Sequence, residues 1–213
     1  MRTANGATEK MNLRALHKEI YAPSHKEFSV VVVPRMSFVM ADGEGNPNLA
    51  QSYRDAVQAL YAVSYTLKFA SKKLANRDYV VAPLEGLWSA DDPAAFVQRR
   101  KDEWKWTMMI MQPEWITKEM FDEAVEVVRT KKNPAALPGV YFDTYDEGLS
   151  VQIMHIGSYD DEAPTLRRLH EEYMPANGLD FNGPHHEVYI GDPRKAEPSK
   201  LKTILRQPVK RRT

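Results

Sequence analysis

Val30-Val31-Val32-Val33-Pro34-Arg35-Met36-Ser37-Phe38-Val39-Met40-Ala41-Asp42-Gly43-Glu44-Gly45-Asn46-Pro47 reads as strand, turn and helix start in immediate succession. The β-branched run Val30 to Val33 suits a pleated, half-buried surface; Pro34 interrupts it, and Met36 to Ala41 resumes an extended pattern. Asp42 to Gly45 supplies turn residues, after which Asn46 can cap a helix and Pro47 suits its first position. Leu49, Tyr53, Val57, Leu60, Leu67 and Leu74 then recur at helical spacing. The expectation is one strand with a break, followed by one long helix to about Ala75.

Downstream, Tyr79 to Trp88 is β-branched and aromatic enough for a strand, and Glu103 to Gln112 carries Trp104, Trp106, Met108 and Ile110 at period two. Asp91-Asp92-Pro93 opens a short loop or helix between them. Thr117 to Lys131 is an amphipathic helix with Phe121, Val125 and Val128 on one side and Pro134 and Pro138 beyond its end. Val140 to Tyr145, an Asp146-Glu147-Gly148 turn and Leu149 to Ile156 read as a hairpin. Asp160 and Asp161 can cap a helix through Met174 that Gly178 stops, and the strands His186 to Ile190 and Leu201 to Leu205 flank a turn with Asp192, Pro193 and Pro198. Upstream, residues 1–10 read as a tail and Asn12 to Tyr21 as a short docking helix.

The two halves share an order of strand, long helix, strand, strand, and each last strand ends on Gln-Pro, at Gln112-Pro113 and Gln207-Pro208. An α+β fold built by duplication follows: residues 28–208 form a single domain of two modules, about 28–116 and 140–208, joined by a helix, with a basic tail at 209–213. In that duplication Glu85 and Glu187 occupy related places on the middle strands.

Composition narrows the function. The 29 basic and 29 acidic side chains cancel, which leaves no net field for nucleic acid or an anionic membrane; neither is expected as a partner. The absence of cysteine removes disulfides, thiol catalysis and thiolate metal sites and fits a reducing cytoplasm. No stretch approaches the ~20 apolar residues of a membrane span, and Met1 to Lys10 lacks the apolar run of a secretory signal. His185 and His186 are adjacent and point apart in a strand, and His155 stands alone, so no metal is expected. Monomer and homodimer both remain open.

Alternation sends Val188 and Ile190 to one face and Glu187 with Tyr189 to the other. That second face is either simply wet or holds a carboxylate among aromatic rings, where burial raises its basicity and cations are attracted. Glu85 carries the same choice. Trp88, Trp104, Trp106, Tyr141, Tyr145 and Tyr189 can wall a cleft for a flat ligand or pack a core; Trp104 and Trp106, two indoles on one strand face, are the stronger cleft candidates.

Several strings together resemble the GyrI-like family, in its stand-alone branch: Asp42-Gly43-Glu44-Gly45-Asn46-Pro47-Asn48, Pro83-Leu84-Glu85-Gly86-Leu87-Trp88, Trp104-Lys105-Trp106, Gln112-Pro113-Glu114-Trp115, His155-Ile156-Gly157-Ser158-Tyr159-Asp160 and His185-His186-Glu187-Val188-Tyr189. The resemblance implies strand-helix-strand-strand modules related by a pseudo-twofold, with a small-molecule cleft between them. It also implies a cofactor-independent hydrolase that opens cyclopropane-bearing natural products with water. Carried onto this chain, Glu187 activates the water, Glu85 is the second choice of base, Tyr145 is a further catalytic candidate, and Trp104, Trp106, Tyr189, Trp88, Tyr141 and His155 bind the ligand. Two other readings go with the same family: a binding or sequestration protein for organic cations, and a gyrase-inhibitor-like interaction protein. Residues 1–27 are too few for a helix-turn-helix unit, so a one-chain transcription factor is not expected.

Overall fold

The computed structural model describes residues 10–92, 95, 98, 100–191 and 195–212. The expected tail before Lys10, the segment at Pro93 and the turn at Asp192 and Pro193 lie outside them. The strands are β1 Ser29–Val33, β2 Met36–Glu44, β3 Leu84–Ser89, β4 Lys105–Gln112, β5 Val140–Tyr145, β6 Gly148–Ile156, β7 Leu179–Phe181, β8 His185–Tyr189 and β9 Lys202–Arg211. All pair antiparallel, in the order β1-β6-β9-β8-β3-β4-β2-β5, with β7 on the far end of β9. From the centre outward the order is palindromic: β3 pairs with β8, each is flanked by the last strand of its own half, and that strand by the first. This is the duplicated α+β architecture expected from the sequence.

Three expectations change, two of them in the strands. The break at Pro34 separates β1 from β2, yet both pair in one register with β6 and β5: Val33 lies opposite Gly148, and Met36 opposite Tyr145. The residues expected to form a hairpin at Asp146-Glu147-Gly148 are therefore one long strand that bends there, facing the bend at Pro34-Arg35. Pro34 has no N–H to give the ladder, so the pairing lapses and both strands turn together. Since each long strand is continuous, the hydrogen-bonded order returns to its start. At the other end β9 runs on to Arg211, pairing Lys210 with Asp180, so most of the expected basic tail is strand.

The N-terminal docking segment forms α1 Leu13–Leu16 and α2 Lys18–Tyr21 and buries Ile20 and Tyr21 completely. Asn46 closes a turn rather than a helix, accepting from the Asn48 N–H at 3.1 Å; α3, Gln51–Leu74, starts beyond it and buries Ala56, Ala59, Leu60, Val63 and Leu67. The helix joining the halves is α4, Lys118–Lys131, capped by Thr117, whose hydroxyl accepts from the Met120 N–H at 3.3 Å. In the second half, α5 Ala163–Arg167 continues through a π-helical turn, Arg168–Tyr173, into α6 Met174–Ala176, and Gly178 ends it at φ 63°.

Trp106 on β4 lies over Gly43, its partner on β2, and a Cβ at Gly43 would stand 2.2 Å from the indole. Gly43→Ala therefore forces the ring out of place. The expected cost is about 1–3 kcal/mol of stability, read by urea unfolding.

Candidate functional site

The central pair β3–β8 presents different chemistry on its two faces. Opposite pairs are Leu84 with Tyr189, Glu85 with Val188, Gly86 with Glu187, Leu87 with His186 and Trp88 with His185. Glu85, Leu87, His186 and Val188 thus share one face, and Glu187, Tyr189, Trp88 and His185 share the other. The proposed correspondence of Glu85 with Glu187 fails on this parity: the two carboxylates point to opposite sides of the sheet.

On the first face α2 closes over a buried ionic network. The His186 ring sits between two carboxylates, Nε2 at 3.0 Å from Glu85 Oε2 and Nδ1 at 2.9 Å from Glu147 Oε2. Arg206 donates to Glu147 at 3.2 Å, to Gln152 at 3.1 Å and to the carbonyl of Ile20, while the Tyr21 hydroxyl donates to Glu85 at 2.6 Å. Burial drives the Glu147 carboxyl up, but the His186 and Arg206 charges outweigh it and hold it at about 2. Burial likewise drives His186 down, and Glu147 with Glu85 outweighs it, raising the ring to about 9. Glu85 is 0% exposed, so it ties the N-terminal helix to the sheet centre and does not border the cleft.

These shifts set a stability profile. Glu147 is held below its unfolded value, so its contribution is present above about 4.5 and is lost as pH falls toward 2. His186 is held above its unfolded value, so its contribution is present below about 6.5 and is lost as pH rises through 9. Thermal melts across pH are expected to show the network's full stabilisation between those limits and decline on both sides, with the alkaline decline reduced in His186→Gln relative to its own maximum.

On the second face the carboxylate of Glu187 is held by a short chain of donors. The Trp88 indole N–H donates to the Tyr189 hydroxyl at 3.0 Å, and that hydroxyl donates to Glu187 Oε2 at 2.8 Å; the His185 Nε2 stands 3.4 Å from Oε1. Burial first, then the Glu187 charge, raises Tyr189 well above the ordinary phenol range, so it remains a donor. Gly86, opposite Glu187, lets the Trp88 indole lie close over the strand: a Cβ there would stand 3.0 Å from the indole nitrogen and 3.1 Å from Met108 Sδ. Tyr53 of α3 stacks near Trp88 at 6.3 Å, Trp104 meets Trp88 edge-on at 5.8 Å, and Tyr159 meets Tyr189 edge-on at 5.7 Å. All of these border one concave depression. Glu187 is 15% exposed at its side chain: reachable, and mostly dry.

Glu162, which sequence reasoning passed over, borders the same depression at the entry to α5. It is 5% exposed, and its Oε1 has no hydrogen-bond partner among the described residues. Burial first, and the Glu187 charge second, push this carboxyl up to about 9. The only sequence signal was a third acid directly after Asp160 and Asp161, which reads as one more capping residue.

The structure gathers Glu187, Tyr189, Trp88 and Trp104 in the cleft, and sends the other candidates elsewhere. Trp106 is 3% exposed and packs between Gly43 and Tyr53, whose ring it meets edge-on at 5.3 Å; it backs the cleft wall rather than lining it. Tyr141 donates to Asp42 at 3.0 Å, and Tyr145 stands edge-on to His186 at 6.4 Å, with burial and then Glu147 pushing its hydroxyl up to about 12. His155 is buried, its Nε2 3.2 Å from the carbonyl of Ser158, where it fixes the turn that delivers Tyr159 and Glu162. No helix among the described residues is long and apolar enough to cross a membrane.

Comparison with known proteins agrees with this geometry. A family model for the GyrI-like small molecule binding domain matches residues 26–210. No curated protein sequence matches the chain. Among solved structures, an uncharacterized conserved protein from Listeria innocua is 39% identical, with a TM-score of 0.87 over 94% of this chain and 100% of that one. A hydrolase from the same organism, encoded by lin2189, is 38% identical, with a TM-score of 0.84 over 95% of this chain and 100% of its own. The EcmrR C-terminal domain, 10% identical with a TM-score of 0.56 over 87% of this chain and 98% of that domain, shares the fold alone. The match along residues 26–210 and the end-to-end likeness to both Listeria proteins place the chain in the GyrI-like small molecule binding domain family.

Proposed function

We propose that the cleft binds a flat or amphipathic small organic molecule and hydrolyses it, opening a cyclopropane conjugated to a dienone with water that Glu187 deprotonates. The observation that carries this reading is a mostly buried carboxylate fixed by the Tyr189 hydroxyl in the depression that Trp88, Trp104, Tyr53 and Tyr159 also border. In this step the water oxygen bonds to a ring carbon and Glu187 takes the water proton. The strained C–C bond breaks, and its electron pair flows into the dienone and leaves a phenolate. Ring strain and aromatisation drive the opening, so positioning and proton transfer suffice as catalysis. The 38%-identical hydrolase from Listeria innocua supports a hydrolytic reading.

The same carboxylate in a depression bordered by aromatic rings also suits an organic cation held without chemistry. Incubating the protein with a spirocyclopropyl-dienone, followed by absorbance and mass, separates the two. Gain of one water at a rate proportional to enzyme is expected. Saturable binding with an unchanged ligand mass overturns the hydrolase reading for that substrate class.

A further inference from the structure

We propose that Glu162 is the second acid–base residue of the cleft: it enters the cycle as a neutral carboxylic acid and gives its proton to the substrate oxygen that gains charge as the ring opens. The inference rests on the hydrolase reading and names the partner which that reading leaves open, since the charge arriving on the carbonyl oxygen needs a donor.

The tyrosine best placed for that task is already committed. The Tyr189 hydroxyl donates a hydrogen bond to Glu187 and accepts one from Trp88, so both its donor and its nearest acceptor position are in use. Glu162 is in the opposite condition. It is a cleft-wall carboxyl, 5% exposed, with one oxygen lacking any partner among the described residues. An unpartnered buried carboxyl oxygen is costly unless the group is neutral or a ligand completes its hydrogen bonding. The groups acting on it are the charges of Glu187 and Asp160, which oppose its ionisation, and Lys101 and the Thr203 hydroxyl, which favour it; burial and Glu187 prevail. Tyr189 is within electrostatic reach and stays protonated. Two carboxyls border one cleft, and the one whose ionisation is opposed by burial and by its neighbour's charge is the acid of the pair.

The cycle balances. Glu187 takes one proton from water, Glu162 delivers one to the phenolate oxygen, and the proton then passes from Glu187 to Glu162 through solvent before the next turnover. The substrate class narrows accordingly: the ligand carries a hydrogen-bond-accepting carbonyl conjugated to the strained ring. A neutral Glu162 also leaves the cleft with less negative charge than two carboxylates would give, which disfavours dications.

The test combines infrared spectroscopy and kinetics. At neutral pH the wild type is expected to show a protonated-carboxyl stretching band that Glu162→Gln lacks. Wild-type kcat is expected to fall as pH rises through about 9. Glu162→Gln, which keeps the shape of the neutral acid, is expected to lose about a hundredfold in kcat with little change in KM and to lose that alkaline limb. Glu162→Asp is expected to keep the limb with a lower rate. An active wild type whose Glu162→Gln variant retains full kcat overturns the donor role and leaves the hydrolase reading standing, as does an alkaline limb that survives in the variant or a missing band. An inactive wild type removes both, and is distinguished by the absence of turnover before any variant is compared.

Discussion

Glu187→Gln is expected to lower turnover by about 10²- to 10⁴-fold, the range over which a positioned general base contributes, while ligand binding survives. Glutamine keeps the shape of the side chain and an amide oxygen able to accept from Tyr189, whose hydroxyl now stands 2.8 Å from Oε2, but cannot take a proton from water. Binding is read from quenching of Trp88 and Trp104 fluorescence, and turnover from product mass. Tyr189→Phe makes the comparison sharper: it removes the hydroxyl that fixes Glu187 and leaves the base, so kcat drops less than in Glu187→Gln. Equal turnover by wild type and Glu187→Gln would dismiss Glu187 as the base.

The largest effect on stability is expected at Glu147. Glu147→Gln leaves His186 and Arg206 buried with one anion fewer between them, and breaking a buried pair of this kind costs about 3–5 kcal/mol. Urea unfolding measures it. Adding Arg206→Met should restore part of the loss, because the second change removes the stranded charge. A loss under 1 kcal/mol in the single variant would show that the network is not the keystone of the sheet centre.

Much of the fold was legible because alternation and helical spacing are local. The side of β8 that carries Glu187 and Tyr189 followed from period two alone, and α3, α4 and the duplicated order followed from the spacing of apolar residues, although the cap expected for α3 at Asn46 did not hold. What escaped depends on which strand lies beside which. Glu85 and Glu187 looked equivalent in their strings, but equivalence needs the β3–β8 register, and that register puts them on opposite faces. Trp106 shares its face with Trp88, and only its pairing with Gly43 decides that it is core. The buried network draws Tyr21, Glu85, Glu147, His186 and Arg206 from separate elements, and no spacing rule joins them. Glu162 hid behind Asp160 and Asp161, because its burial comes from the cleft wall rather than from its own helix.

The shared register of the two long strands also bears on how the chain reaches this state. Ser29 waits for Gln152 and Ala41 for Val140, so the opening strands of the first half have no partner on that side until most of the polypeptide exists. Closing so wide a loop is paid for in entropy before the contacts return anything, which marks the molecule as a high-contact-order, slow folder. During synthesis β2 is thus a bare edge, open to pairing with another nascent copy. The charged and bend-forming residues around it, Arg35 and Asp42 to Gly45, lie where gatekeepers against that encounter are needed.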